Sequence, residues 1–292
     1  MFFTRIAPTP SGYIHAGNAL NFILTYILAK HIGAKIELRI DDIDQNRSKK
    51  EFIDDIFKTL RKLGIVWDIG AKDTDDFLQN YSFGRKQEAI FAELTDIVKA
   101  NPDYFYICKC PRDKPCNGGC GALGLELTKN KTALKMRIKD KLIVTLGSRS
   151  VDLGKAVGDV TMWQKEGFAS YQFASLFSDE EHGTNLIVRG YDLFNSSALQ
   201  LYMAKVFGFK SFLKATFIHH PLILDEKGGK LSKTKGSSSA FSIDEILQRC
   251  AEIIGIKSSQ KIENIHEILS FKNELDRYLN ERGAKLEQCV GD

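Results

Sequence analysis

No run of apolar residues in this chain approaches the ~18 that a membrane-spanning helix needs. Nothing at the N-terminus reads as a leader, because Met1-Phe2-Phe3-Thr4-Arg5 enters a strand directly. Both absences lead us to expect a cytoplasmic protein without membrane contact. Internal repeats and low-complexity tracts are also missing, which excludes solenoids and long disordered linkers. The short run Gly236-Ser237-Ser238-Ser239 reads as the edge of a loop. Charge of one sign does not dominate: 41 Lys and Arg against 37 Asp and Glu leave a formal net charge of +4. So mild a bias permits a polyanionic partner only where basic side chains gather on one face. Cysteine is sparse and unevenly spread. Four of the six cysteines fall between positions 108 and 120, which argues against a disulfide framework across the fold. Cys250 and Cys289 stand alone and read as plain thiols.

What is present is an ordinary globular composition, 43% hydrophobic over 292 residues, enough for a large core and two or three structural units. Residues 4–7 read as a buried strand. Residues 19–31 follow as a helix that is apolar almost all round, as suits a helix buried in a core, and Gly33 can cap its C-terminus. Residues 36–40 form a second strand, ending at Asp41-Asp42. This βαβ unit predicts parallel strands and a right-handed crossover. Ser48 and Glu51 predict a capping box for the next helix, which Gly64 ends. Residues 84–100 read as another helix.

From 101 to 178 the pattern changes to a cysteine-, glycine- and proline-rich knot and short segments, an insertion of mixed α/β character. The α/β rhythm resumes with residues 170–177 and 186–190. A helix over 196–207 and a strand near 216–219 follow. Ser242 and Glu245 predict a second capping box, and one or two further helices run to about residue 282. The expected organisation is a catalytic body at 1–100 and 179–240, an insertion at 101–178 and a short helical C-terminal extension at 241–292.

Two segments carry chemistry. Arg5-Ile6-Ala7-Pro8-Thr9-Pro10-Ser11-Gly12-Tyr13-Ile14-His15-Ala16-Gly17-Asn18 is a strand, a tight loop and a helix start. Lys230-Leu231-Ser232-Lys233-Thr234 is a cationic loop of small residues, preceded by Gly228-Gly229. A helix N-terminus offers N–H groups and a dipole to phosphates. A lysine supplies charge where negative charge develops in a transition state. Together they suit a nucleoside triphosphate.

The pairing resembles the two signatures of class I aminoacyl-tRNA synthetases, usually written HIGH and KMSKS. They stand here as His15-Ala16-Gly17-Asn18 and Lys230-Leu231-Ser232-Lys233-Thr234. The resemblance covers roughly residues 3 to 240 and implies a Rossmann-type parallel sheet. It also implies ATP as substrate with Mg2+, ATP contacts from His15, Gly17, Asn18 and Lys233, and catalytic roles for His15, Asn18, Lys230 and Lys233. The finer match is to the glutamyl branch. Arg5, Ala7 and Thr9 match its Arg-x-Ala-Pro-Ser loop. Asp41 falls where that branch has Glu in Arg-Ile-Glu-Asp, Tyr171 falls in its Tyr-Gln strand, and Arg189 in Val-Arg-Gly-x-Asp. These six are the expected glutamate-binding residues. Arg5, Asp41, Tyr171 and Arg189 are each expected near the C-terminal end of a strand, where open α/β sheets bind ligands. A guanidinium pairs with a γ-carboxylate in bidentate fashion, whereas beside a neutral amide it is an unpaired charge. Arg189 therefore favours glutamate, while the shorter Asp41 is shared with the glutaminyl branch.

Cys108, Cys110, Cys116 and Cys120, with Pro111, Pro115, Gly118 and Gly119 between them, suit a closed tetrahedral zinc site of structural type. An iron–sulfur cluster and bare thiols are the alternatives. Short glutamyl-type enzymes carry a comparable site in the acceptor-binding insertion. Residues 241–292 are too few for the anticodon-binding region of full glutamyl-tRNA synthetases. In this the chain resembles the glutamyl-Q tRNA(Asp) synthetases, which attach glutamate to the queuosine base in the anticodon loop of tRNA(Asp). Lys109, Arg112, Lys114, Lys129, Lys131 and Lys135 are candidate phosphate contacts. The chain is expected to be a monomer. Other readings are a compact ligase charging a tRNA 3′ end with glutamate or glutamine, an adenylate-forming ligase with a small-molecule acceptor, and an RNA-binding relic. The intact His15 and Lys233 argue against the relic.

Overall fold

This computed structural model describes residues 2–111, 114, 116, 118–222, 242–257, 261–283 and 285–290. In chain order the first elements are β1 (Phe3–Ile6), α1 (Ala16–His31), β2 (Lys35–Leu38), α2 (Lys50–Lys62), β3 (Ile69–Gly70) and the short α3 (Thr74–Asp76). Then come α4 (Gln87–Ala100), β4 (Phe105–Cys108), β5 (Ala133–Met136), β6 (Ile143–Leu146), β7 (Arg149–Asp152), α5 (Leu153–Ala156) and β8 (Val160–Trp163). The last are α6 (Tyr171–Glu181), β9 (Leu186–Gly190), α7 (Phe194–Phe207), β10 (Thr216–His220), α8 (Ile243–Ile254), α9 (Ile265–Leu269), α10 (Lys272–Arg282) and β11 (Leu286–Val290).

The chain forms two units. The first comprises Met1–Ser82, Thr184–Phe194 and Ala215–Ala284. Its strands β1, β2 and β3 are parallel neighbours in that order, as the βαβ pattern predicts. β9 and β10 form a second parallel pair. β9 abuts β1: the Thr4 hydroxyl donates to the Leu186 carbonyl (2.8 Å) and the Asn185 N–H to the Phe3 carbonyl (3.0 Å). Partners advance together along the two strands, so they run in the same sense. α1 is the centre of this unit. From Ala19 to Ala29 every residue but Asn21 is buried, because the sheet covers one side of the helix and α8, α9 and α10 the other. That double cover explains an apolar helix with no polar stripe. Cys250 of α8 lies fully inside this core. Burial pushes its thiol well above the usual range, as befits a plain core thiol.

Two capping expectations part ways. At α8 the Ser242 hydroxyl accepts from Glu245 N–H (3.3 Å), the serine half of the expected box. At α2 the box does not form. Lys49 is the cap residue, without a side-chain cap, and the Ser48 hydroxyl donates to the Asp44 carbonyl (3.2 Å) instead. A local turn carbonyl has outcompeted the helix N–H groups for that side chain.

The second unit comprises Phe83–Gly183, Asn195–Lys214 and Lys285–Asp292. It holds two antiparallel three-stranded sheets, ordered β4-β5-β8 and β11-β6-β7. Phe173 and Phe207 pack with centroids 6.0 Å apart, and Phe105 stacks on Phe207 at 6.2 Å. Two expectations fail here. Residues 171–181 are helical, so Tyr171 does not lie in a strand; Ser170 caps the helix by accepting from Phe173 N–H (3.4 Å). The C-terminal segment does not end as helix either. β11 pairs with β6, from Leu286 opposite Leu146 to Val290 opposite Ile143, and occupies an edge of β6 that would otherwise stand open.

Candidate active site

The first unit gathers ionisable side chains at the ends of adjacent strands. Arg5 on β1 lies opposite Glu37 on β2, and Arg189 on β9 opposite His219 on β10. Arg39, Asp41 and Asp42 follow β2. All except His219 are at most 6% exposed: three cations and three anions, so their charge is balanced. Arg39 Nε donates to Asp41 Oδ1 (2.9 Å), both side chains being almost fully buried. The Ser82 hydroxyl donates to Asp42 Oδ2. Buried charges persist only when paired and hydrogen-bonded. Arg5 and Arg189 thus lie on the neighbouring strands β1 and β9, and Asp41 lies just after β2. The structure also adds Glu37, Arg39 and Asp42, to which sequence reasoning gave no role. A charged residue inside a short apolar strand was the signal for Glu37.

The loop after β1 is pinned at both ends. Asp41 N–H donates to the Pro8 carbonyl (2.8 Å), and Ile14 N–H to Asp55 Oδ2 (2.8 Å). Between them Ser11 N–H donates to the Thr9 carbonyl (2.9 Å), leaving Thr9 exposed and Ala7 half-buried. Tyr13 stands edge-on to Phe52, with centroids 5.1 Å apart.

His15 is the cap residue of α1. Its Nδ1 accepts from Gly17 N–H (3.1 Å) and Asn18 N–H (3.4 Å), while the Asn18 side-chain oxygen accepts from His15 N–H (3.3 Å). This reciprocal box gives the histidine and asparagine a local reason to sit three residues apart. It also sets the tautomer. With Nδ1 accepting, the neutral ring carries its proton on Nε2, a donor not used by the cap. Gly17 sits close to the imidazole: a Cβ there would lie 3.1 Å from Cε1 of His15, so the ring would have to shift by a few tenths of an ångström.

His220 closes β10. It is buried, its Nδ1–H donates to the Pro221 carbonyl (2.9 Å), and its Nε2 meets the Asn21 side-chain amide of α1 (3.1 Å). Burial lowers its pKa below 6.5, outweighing the Pro221 hydrogen bond and the charge of Asp192. No sequence signal marked this residue. Lys230, Lys233 and Arg112 lie outside the described residues. Tyr171 belongs to the second unit, at the first turn of α6, and is 38% exposed.

The four cysteines of the second unit do converge. All four Sγ atoms lie within 4.8 Å of one another, with Cys108–Cys116 and Cys110–Cys120 at 3.6 Å. Tetrahedral zinc with Zn–S of about 2.3 Å needs Sγ–Sγ spacings near ~3.8 Å, so the donor set fits. Cys110 is pushed up to about 12 by its hydrogen bond to Cys120 and by burial. Cys116 is lowered to about 6: burial raises it, and hydrogen bonds from Cys120, Cys108 and Cys110 outweigh that. Tyr106 backs the cluster. Its hydroxyl donates to Asp159 Oδ2 (2.7 Å), and Arg137 lies 4.7 Å over its ring.

Residues 1–110 match the family model described as tRNA synthetases class I (E and Q), catalytic domain. The fold agrees. Over 96% of this chain and 69% of the other, it superposes with a TM-score of 0.70 and 18% identity on a glutamate tRNA ligase from Elizabethkingia meningosepticum in complex with its amino acid. Residues 1–110 are thus similar to the class I tRNA synthetase catalytic domain of the E and Q type, and the fold is one that such a ligase also has. Among individual proteins, the chain is similar to the glutamyl-Q tRNA(Asp) synthetase of Verminephrobacter eiseniae. The two are 28% identical over 278 residues, 87% of this chain and 89% of that one. It is also similar to the glutamate–tRNA ligase of Hydrogenobaculum sp., 30% identical over 256 residues, 82% of this chain and 54% of that one. The chain thus spans about half the length of the glutamate–tRNA ligases it matches. Among the described residues, no helix is long and apolar enough to cross a membrane.

Proposed function

We propose that this chain is an ATP-dependent ligase that activates glutamate as its adenylate. It then transfers the glutamyl group to the queuosine base at the anticodon wobble position of tRNA(Asp). The observation that carries this reading is the extent of the match to a glutamyl-Q tRNA(Asp) synthetase, 87% of this chain with 89% of that one. In the first step a glutamate carboxylate oxygen attacks the α-phosphorus of ATP, and the bond to pyrophosphate breaks. In the second, a hydroxyl of the modified base attacks the acyl carbon, its proton is released, and AMP leaves. Neither step needs a covalent enzyme intermediate. Positioning and charge stabilisation supply the rate.

Arg5 and Arg189 hold the γ-carboxylate of glutamate. Asp41, kept in place by Arg39, takes the ammonium group, with Ala7 and Thr9 on the loop beside it. His15 donates from Nε2 to the ATP phosphates, beside Gly17 and Asn18. Lys230 and Lys233 follow the charge onto the leaving pyrophosphate, and Mg2+ accompanies the triphosphate. Cys108, Cys110, Cys116 and Cys120 would hold a zinc ion of structural type, which would tie together the 101–178 insertion and supply no step of the reaction.

Glutamate-dependent exchange of labelled pyrophosphate into ATP, with and without tRNA, tests the amino-acid assignment. Exchange with glutamine and none with glutamate would overturn it. The 30% match to a glutamate–tRNA ligase supports one alternative, charging of a tRNA 3′ end.

A further inference from the structure

The second unit contains a cavity of about 260 Å³ apart from the cysteine cluster. Phe91 of α4, Trp163 at the end of β8, Leu127, Gly167 and Lys129 form most of its wall. The two aromatic rings lie 4.7 Å apart, centroid to centroid, at 55°. Trp163 is buried and Phe91 is 40% exposed, so the pair has one fixed ring and one open ring. A single exposed phenylalanine is unremarkable on any surface. This one lines a cavity whose wall also includes Lys129. Gly167 has φ of +92°, and a Cβ on it would lie 3.2 to 3.4 Å from the Lys129 stem, so the glycine leaves that stem its path.

The surrounding turns are tied together. Asn130 N–H donates to the Lys165 carbonyl (2.6 Å), and Lys165 Nζ donates to the Lys109 carbonyl (2.6 Å). Lys109, Lys129, Lys131 and Lys165 therefore lie on connected turns, against Glu126 and Glu166 on the same segments. A flat aromatic face beside a lysine is what an unpaired nucleotide needs: a surface to stack on and charge for the flanking phosphate. The volume lies below the ~300 Å³ at which pockets for drug-sized ligands begin, and suits a single ring system.

We propose that this cavity takes one unpaired base of an RNA substrate, stacked on Phe91, with Lys129 against the flanking phosphate. The proposal rests on the tRNA-ligase reading above and deepens it by naming a second RNA contact. The test uses the full chain carrying Trp67→Phe, which leaves Trp163 as the one remaining tryptophan of two. The probes are tRNA(Asp) and a hairpin oligonucleotide of its anticodon arm. Saturable quenching of Trp163 emission is expected with at least one of them. Phe91→Ala and the more conservative Phe91→Leu should weaken binding about tenfold while their melting temperatures stay near that of the parent. Lys129→Ala should lower the slope of log affinity against log salt by about one. RNA binding that leaves Trp163 emission unchanged and tolerates both Phe91 variants would overturn the cavity proposal and leave the ligase reading standing. A parent protein that binds neither RNA at any salt concentration would overturn the ligase reading, and this proposal with it.

Discussion

At His15 the proposed function gives one ring a chemical role beside its structural one as the cap of α1. Nδ1 closes the N-terminus of α1, and the proposed phosphate contact is made by the other ring nitrogen, Nε2. The two roles separate by substitution. His15→Asn keeps a good cap, because asparagine is among the preferred cap residues. It should unfold within about 1 kcal/mol of the parent, yet adenylate formation should fall on the order of a hundredfold with the donor gone. His15→Ala should lose both, with about 1 kcal/mol of stability going with the cap. Equal activity in parent and His15→Asn would place the chemistry elsewhere. Arg189 is the second test at this scale. Removing one partner of a buried charge pair typically costs ~2–5 kcal/mol, so Arg189→Ala should raise the KM for glutamate at least about thirtyfold. Glutamate kinetics unchanged by that substitution would make Arg189 a structural residue. His15, Arg5 and Arg189 were legible in the sequence because each sits in a motif with its own spacing. The pairing of Arg39 with Asp41 was not, since both neighbours of a strand end look alike until the strand twists one toward the other.

Elements were legible where local chemistry and tertiary packing agree. α1 was plain because no polar face interrupts it, and a helix covered on both sides has no need of one. The run at 170–177 misled because its aromatic and apolar residues suit a strand as well as a helix. The Ser170 cap and the packing of Phe173 decide for the helix. β11 was illegible because its partner β6 is remote in sequence, and a lone strand carries little signal of its own. His220 makes a testable contribution at this scale, joining the end of β10 to α1. Its folded pKa lies below the unfolded 6.5, so the unfolded state gains the proton first as pH falls. The stability it contributes is whole above pH 6.5 and declines below it, by at most ~1.4 kcal/mol per pH unit until the folded pKa is reached. Urea unfolding at pH 7.5 and 5.5 should therefore show a larger loss for the parent than for His220→Gln. Parallel losses would contradict the linkage. For the cysteine cluster, metal analysis should find one zinc per chain, and Cys108→Ser should lose the metal along with several kcal/mol of stability, on the scale of structural zinc sites (roughly 10 kcal/mol). Well under one zinc per chain in the parent would leave the cluster as bare thiols.

The whole molecule joins two chemistries that the sequence holds far apart: a charged strand-end site in one unit and a thiolate cluster with a cationic aromatic cavity in the other. The mild net charge of +4 fits a protein that binds RNA through local clusters and not through a general basic surface. The most direct test is transfer of labelled glutamate, with ATP, to tRNA(Asp) that either carries or lacks queuosine. The expected result is label on the queuosine-containing tRNA alone, bound at the anticodon and absent from the 3′ end. Equal labelling of both preparations, or label on tRNA(Glu) in a parallel reaction, would contradict the anticodon assignment and return the chain to 3′-end charging.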